Sequence, residues 1–242
     1  MTRRILSVIV CMMGVVNGAS AVLVRGINID FVSIGAGIDS DPLERSDGTS
    51  GYGAVNYNYR IGKYEVTNAQ WNAFTAAAGA PTGNDGGYGN PAYFTDAQQP
   101  TNMVSWYEAA QFCNYLTSGD KSKGAYPFSG NNANPGDYIG TDNNLDRAAA
   151  VSTYGTIYVI PTEDEWYRAA YHKPDGSGYS LFDNGTDTPP IAGIDTNYDD
   201  PSGNPWNIGN GTMEQNGTFD MMANVFEWNE TQRAKDPLPE GA

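Results

Sequence analysis

The sequence predicts an α+β fold in a single domain with little regular secondary structure, and three observations lead to this prediction. Long stretches such as GNDGGYGNPAY and DDPSGNPWNIGNGT are dense in Gly, Asn, Asp and Pro, which favour turns. Three helices share one N-terminal signature, and the strand patterns between them show neither a βαβ alternation nor an internal repeat. With 242 residues, 40% of them hydrophobic, the chain can bury a core of its own.

The helical signature is the capping box, in which a hydroxyl residue and a Glu or Gln three positions later satisfy free N–H groups at the helix start. It occurs at Thr67 with Gln70, at Ser105 with Glu108, and at Thr162 with Glu165. The first two helices carry apolar stripes that predict buried faces. These stripes consist of Trp71, Phe74 and Ala78, and of Ala109, Phe112, Cys113 and Leu116.

Three segments read as strands. Residues 55–62, VNYNYRIG, alternate apolar and polar side chains with a period of two, which is typical of a half-buried strand. Residues 27–35, INIDFVSIG, and residues 155–161, GTIYVIP, are short apolar runs rich in β-branched residues. After residue 171 the pattern predicts loops until the closing cluster FDMMANVFEW.

The N-terminus has the composition of a cleaved secretory signal. It begins with two arginines, continues with an apolar run over residues 5–16, and ends in Ala-Ser-Ala. The run is shorter than the roughly 20 residues of a transmembrane helix, so an uncleaved membrane anchor is the less favoured alternative. We therefore expect a secreted or periplasmic protein. Its predicted divisions are a signal peptide over residues 1–21, an N-terminal strand and linker over 22–54, and the main domain over 55–242.

The charge balance is strongly acidic. Cleavage of the signal removes two arginines and no acids, which leaves 11 basic against 28 acidic side chains and a net charge of −17. Such a chain repels nucleic-acid phosphates and anionic lipid surfaces, so we expect no nucleic-acid partner and no membrane contact after cleavage. The same charge suits a soluble surface or the binding of cations.

Cysteine and histidine chemistry is sparse. Cys11 lies inside the predicted signal, which leaves Cys113 without a partner for an internal disulfide. Because Cys113 belongs to an apolar stripe between Phe112 and Leu116, we interpret it as a small buried hydrophobe rather than a reactive thiol. The one histidine, His172, is predicted to be a surface residue at a helix end.

Acidic loops suggest calcium, which prefers oxygen ligands. Residues 195–200 and 142–146 have the opening spacing of an EF-hand but lack its Gly and its final Glu, and turns explain the second stretch better. Asp220 and Glu227 flank MMANVF, where a tight turn would aim two side chains and intervening carbonyls at one point. The alternative is a strand whose apolar side chains Phe219, Met221, Phe226 and Trp228 belong to the core.

Four motifs in order resemble the formylglycine-generating enzyme family, also called sulfatase-modifying factors. They are YRIGKYEVTNAQW, QPTNMVSWYEAAQFCNYL, YVIPTEDEWYRAA and NGTFDMMANVFEWNE, and the resemblance runs from about Tyr59 to Trp228. The third motif departs from the usual RLPTEAEWE. Single departures are Tyr115 and Phe226, each in place of Trp, and Ala223 in place of Gly.

The resemblance implies a compact fold related to the C-type lectins and a structural calcium ion. Carried over by motif, the ligands of that ion are Asp220, the carbonyls of Ala223 and Val225, and Glu227. A second calcium site of the family would begin at Asn197 and Tyr198. The loop that follows is shorter here, so its remaining ligands have no assigned positions.

The resemblance also implies a chemistry. Catalytic members oxidise a sulfatase cysteine to Cα-formylglycine with oxygen, using Cu(I) on two cysteines that follow the last motif. This sequence has no such pair, and Cys113 lies in another motif, so we expect no copper site, no catalytic residues and a domain that is incomplete at its C-terminus.

Whether the chain is an enzyme stays open. The favoured function is a non-catalytic, calcium-stabilised binding or scaffold domain for an unknown protein or glycan. The first alternative is a fragment of a copper-dependent oxidase, and the second is a structural role in surface assembly.

Overall fold

The fold is built on a five-stranded antiparallel sheet. The computed structural model describes residues 6–7, 10–14, 21–44, 48–82, 94–140, 145–198 and 203–231. In spatial order the sheet consists of β3 (Ala21–Val24), β4 (Ile27–Ile34), β5 (Tyr59–Gly62), β2 (Cys11–Gly14) and β6 (Thr156–Val159). A separate parallel pairing joins β1 (Leu6–Ser7) to β7 (Phe226–Glu227). The predicted α+β domain is confirmed, whereas its relation to the C-type lectins stays a prediction.

Helices begin at the three predicted capping boxes. They are α1 (Asn68–Ala78), α2 (Trp106–Ser118) and α4 (Glu163–Tyr171), and in each the two reciprocal hydrogen bonds of the box are present. A further helix, α3 (Arg147–Tyr154), was not predicted. Asp146 caps α3 by accepting a hydrogen bond from the Ala149 N–H at 2.8 Å, but no Glu or Gln completes a box, and only Ala150 is buried. The sequence therefore lacks both signals that identified the other helices.

Removing the cap of α2 is expected to cost about 1 kcal/mol of unfolding free energy. Ser105 is buried, and its hydroxyl accepts a hydrogen bond from the Glu108 N–H at 3.2 Å, so Ser105→Ala leaves that N–H without its partner. The matched control is Ser152→Ala on the exposed side of α3, with an expected change within about 0.5 kcal/mol. Urea unfolding measures both, and equal values would contradict the capping role.

A tight hairpin joins β3 to β4 through Arg25 and Gly26, with φ angles of 49° and 85°. Two consecutive residues at positive φ match the right-handed twist of the flanking strands. The Arg25 side chain donates from Nε to the Leu116 carbonyl at 3.2 Å and from Nη2 to the Thr117 carbonyl at 3.0 Å. The turn is thereby fixed to the C-terminal end of α2. The apolar run over residues 27–35 predicts β4, whereas no pattern in the sequence predicts β3.

The core lies between the sheet and α2, which packs across β6. Phe74 of α1 meets Phe112 of α2 with ring centroids 5.2 Å apart, and both side chains are fully buried. Cys113 is also fully buried, which confirms its predicted role, and burial raises the pKa of its thiol. His172 caps the C-terminal end of α4, as predicted, but it is half-buried rather than on the surface. Its side chain is 15% exposed and its Nε2 lies 3.1 Å from Asp39 Oδ2, because the loop before β5 folds over the end of α4.

The predicted strand at residues 55–62 is shorter than its pattern suggested. Only Tyr59–Gly62 pair with β4, and within this range Arg60 and Ile61 also pair with β2, whereas Val55 forms an isolated bridge with Gly37. Between them the Asn58 side chain accepts a hydrogen bond from the Ala36 N–H at 2.8 Å. A side chain thus replaces a backbone partner, which interrupts the ladder. The other predicted strands are present as β4 and β6.

The N-terminal segment supplies the strand next to β6. Val10 and Cys11 are buried, and β2 pairs with β5 on one side and β6 on the other. Removal of residues 1–21 as a signal stays a prediction, and the segment would leave this position if it were removed. No helix within the described ranges has the length and apolar character needed to cross a bilayer.

Candidate cation site

The loop from Asp220 to Glu227 forms a tight turn, as predicted. Asp220 and Asn224 both adopt positive φ, at 64° and 62°, a conformation that Asp and Asn tolerate better than most residues. The Asp220 carbonyl accepts a hydrogen bond from the Ala223 N–H at 3.3 Å. Only Phe226 and Glu227 are extended, so a continuous strand through the segment is ruled out. The turn keeps Ala223 and Val225 between the two acids.

Both acids of this loop are desolvated. Asp220 is 4% exposed, and its Oδ2 has no hydrogen-bond partner; the same holds for Glu227 Oε1. Burial raises the pKa of Asp220 to about 6. The pKa of Glu227 is raised well above its usual range by burial and then by the charges of Glu214 and Asp220. Each carboxylate therefore lies where a negative charge is costly without a counter-charge.

Glu65 is a third member of the cluster, and sequence analysis missed it. It is 1% exposed, with Oε2 unpaired and Oε1 accepting a hydrogen bond from Asn224 Nδ2 at 3.0 Å. Burial raises its pKa, and the charges of Asp220 and Glu227 raise it further. The available signal was an acid inside YEVT, immediately before the capping box of α1. That acid lies more than 150 positions before the loop that it meets.

Asp183 and Glu214 extend the cluster, and both are buried. Glu214 accepts hydrogen bonds from the Thr218 hydroxyl at 2.7 Å and the Met221 N–H at 2.8 Å. Its side chain also hydrogen-bonds to Asp183, and the pKa of Glu214 is raised by burial and then by Asp183. Two carboxyl groups in hydrogen-bond contact must share a proton or a cation.

None of the basic side chains that the structure describes forms a salt bridge with the five carboxyl groups. Among the described residues, the salt bridges involve other acids, namely Asp39, Asp120, Glu165 and Glu230. Within the same part of the chain, no group of three or more Asp, Glu, His or Cys side chains could hold a metal ion, so a cation here would also need backbone carbonyl ligands. The arrangement therefore offers unpaired hard oxygen atoms around one loop, which suits protons or a hard cation.

The two residues of the predicted second calcium site have different surroundings. The Asn197 side chain donates from Nδ2 to Asn224 Oδ1 at 2.9 Å and to the Asn204 carbonyl at 3.0 Å. It is therefore part of the packing that orients the Asp220–Glu227 loop. The Tyr198 hydroxyl donates to the Pro190 carbonyl at 3.1 Å, and its side chain is partly exposed. Residues 199–202 and 141–144 lie outside the described residues, so both predicted EF-hand-like stretches are only partly described.

A second buried charged cluster lies at the N-terminal end of α4. Arg147 contacts Glu165 at 2.7 Å through Nη1 and Glu230 at 2.6 Å through Nη2. Tyr57 donates to Glu165 Oε1 at 2.9 Å, and Tyr126 donates to Glu230 Oε2 at 3.2 Å. In contrast to the acidic loop, this cluster contains a basic side chain, Arg147, that pairs with both of its acids, and it serves as a structural link.

The comparisons with known proteins agree with the motifs. The family described as the sulfatase-modifying factor enzyme 1-like domain matches residues 49–239. The chain is also 25% identical over 186 residues to a protein named Chaperone protein LppX, from Paenibacillus barcinonensis. That alignment covers 71% of this chain and 61% of the relative, so the chain spans less than two thirds of the relative's length. No solved structure matches the chain significantly.

The family match covers most of the chain and includes all four motifs from about Tyr59 to Trp228. The match also includes all five acids of the cluster. Glu65 precedes α1, and the other four, Asp183, Glu214, Asp220 and Glu227, follow α4. This chain belongs to the sulfatase-modifying factor enzyme 1-like family.

Proposed function

We propose that the chain is an exported, non-catalytic member of its family that binds a protein or glycan on a scaffold stabilised by calcium. One observation carries the proposal. Glu65, Asp220 and Glu227 each keep a buried carboxylate oxygen without a hydrogen-bond partner, and their charges interact. A buried ionised carboxylate without a partner is strongly unfavourable, and a bound cation would supply the missing counter-charge.

Calcium fits the donor set better than a transition metal. Its ligands are oxygens, six to eight in number, and backbone carbonyls serve as well as carboxylates. We assign the side chains of Asp220 and Glu227 and the carbonyls of Ala223 and Val225 to the ion, as the family resemblance implies. Glu65 would orient the loop from outside it, because its Oε1 accepts a hydrogen bond from Asn224 Nδ2 at 3.0 Å.

The oxidase alternative has less support. Cu(I) is held by soft thiolate or thioether ligands, and thiols bind it in the deprotonated form. Cys11 and Cys113 are both fully buried, and burial raises the pKa of each thiol well above its usual value. Neither is therefore prepared to act as a thiolate. The activity of a longer protein that contains this domain is a separate proposal.

A protein partner is favoured over a glycan. The matched relative is named a chaperone, which indicates a protein partner for that relative. The mature net charge of −17 disfavours nucleic acids and anionic lipid surfaces. We therefore expect an exported polypeptide as the partner of this domain.

Calcium is expected to raise the melting temperature by about 5 °C when present at 30 to 100 times its dissociation constant. Glu227→Gln removes one charge and one ligand while keeping the side-chain shape, and should abolish most of this rise. Differential scanning calorimetry of the purified chain, after treatment with a chelator and with or without added calcium, measures the effect.

Glu44→Gln is the matched control, because Glu44 is exposed and lies outside the cluster. This variant should respond to calcium as the wild type does. If the wild-type melting temperature is the same with calcium and with chelator, the calcium assignment is wrong. Magnesium at the same concentration should have a smaller effect, since it demands a tighter octahedral geometry.

A further inference from the structure

β2 fills the gap between β5 and β6 in the sheet, and we call this gap the slot. Cys11 lies opposite Ile61 of β5 and opposite Val159 of β6, and β2 is antiparallel to both. The Val10 carbonyl also accepts a hydrogen bond from the Gly62 N–H at 2.8 Å. Without β2, two strand edges would face each other across a gap, and the now buried Ile61 and Val159 would be uncovered.

At the C-terminal end of β2 the slot accepts only glycine. Gly14 lies opposite Thr156 at a φ of 120°, and a Cβ atom there would collide with the Gly155 carbonyl oxygen. Backbone approaches backbone at this point, so only glycine fits without a shift. The preceding residue, Met13, is contacted through its sulfur by Arg147 Nη1 at 3.3 Å. The occupant is therefore an extended apolar strand that ends in glycine.

The segment that fills the slot is also the apolar part of the predicted signal peptide. The sequence predicts that residues 1–21 are removed on export, and that event would take β2 out of the sheet. The unpaired N–H and C=O groups of β5 and β6 would then be free to pair with another extended chain. Strand addition of this kind derives its affinity from backbone hydrogen bonds and its specificity from side-chain pockets.

We propose that the space between β5 and β6 is a strand-acceptor site, which Val10–Gly14 occupies while residues 1–21 are attached and an apolar, glycine-terminated strand of the partner polypeptide occupies after their removal. This inference rests on the proposed binding function and names the class of partner. The N-terminal strand holds the site closed until it is removed, and the glycine requirement defines which segments are accepted.

The test starts from the whole folded chain. A specific protease site is introduced between Gly14 and Ala21, the purified 1–242 protein is cut after folding, and a labelled peptide with the sequence Val10–Gly14 is added in excess under reducing conditions. Native mass spectrometry should show replacement of the N-terminal fragment by one labelled peptide per chain. The matched control peptide carries Gly14→Val and should exchange at least tenfold less.

Three outcomes would overturn the inference: equal incorporation of both peptides, no incorporation after the fragment has left, or retention of the fragment throughout exposure to excess peptide. The calcium measurement does not involve this slot. A normal calcium response without peptide exchange would therefore refute the strand-acceptor site alone. Absence of the calcium response would refute the proposed scaffold whatever the peptide does.

Discussion

Replacing Arg147 with methionine is expected to lower the free energy of unfolding by about 3–5 kcal/mol. Arg147 is 12% exposed and is the cation shared by Glu165, which is fully buried, and Glu230. It also donates to the Ile160 carbonyl at 2.9 Å, at the end of β6. Methionine fills a similar volume but leaves both carboxylates without their counter-charge, and Glu165 cannot move away because its other oxygen caps α4 at Thr162.

Lys123→Met is the control for this substitution. Lys123 pairs with Asp120 at 3.3 Å, but its side chain is 65% exposed, and such a pair contributes about 1 kcal/mol or less. Each substitution replaces a basic side chain with methionine, so the difference reports burial rather than loss of a positive charge as such. Urea unfolding at pH 7 measures both variants. A cost for Arg147→Met as small as that of the control would show that the buried cluster adds nothing to stability.

Without calcium, the protein is expected to lose stability as the pH rises from about 5 to 8. Burial raises the pKa of Asp220 from 3.8 to about 6, and those of Glu65, Glu214 and Glu227 are raised as well. Above the unfolded-state pKa near 4, the folded state therefore binds more protons than the unfolded state, so stability falls as pH rises through this window. For Asp220 alone the loss is about 1.4 kcal/mol between pH 5 and 8, out of about 3 kcal/mol over the full titration.

Calcium should flatten this dependence, since a bound cation takes the place of the protons. The comparison variant is Asp220→Asn, which mimics the protonated acid and tolerates the same positive φ. In chelator it should be more stable than the wild type at pH 8, and this advantage should shrink as the pH is lowered to 5. His172 titrates in the opposite direction, because burial and Arg168 lower its pKa, but it is common to both proteins and cancels in their difference. If the wild type, measured in chelator, becomes more stable than Asp220→Asn as the pH rises, ionisation of Asp220 does not destabilise the fold and the interpretation of the cluster is wrong.

Much of the helical structure could be predicted because its signals are local. The capping boxes at Thr67, Ser105 and Thr162 each mark a helix start within four residues. The apolar stripe through Phe112 and Cys113 indicates the buried face of α2. The hairpin at Arg25 could not be predicted. Arginine is uncommon at positive φ, and its preference for this turn comes from the carbonyls of α2, which lie about 90 positions away.

The candidate site was predicted where it is local and missed where it is not. Asp220 and Glu227 belong to one motif, so their common loop could be inferred from spacing and resemblance. Glu65, Asp183 and Glu214 join them only through the folded backbone, and nothing in their own neighbourhoods shows that they are buried. The desolvation that defines the site is a property of tertiary packing, which spacing alone does not contain.

The contact of Arg25 with the end of α2 has a consequence for how the domain opens. The Leu116 and Thr117 carbonyls are among the last four of the helix, which have no partner within it and would otherwise depend on solvent. Their donor sits on the β3–β4 turn, so the hairpin cannot peel from the sheet without also loosening the last turn of α2. Fraying of the last turn of α2 and detachment of the β3–β4 hairpin are thus a single cooperative event, and neither opens without the other.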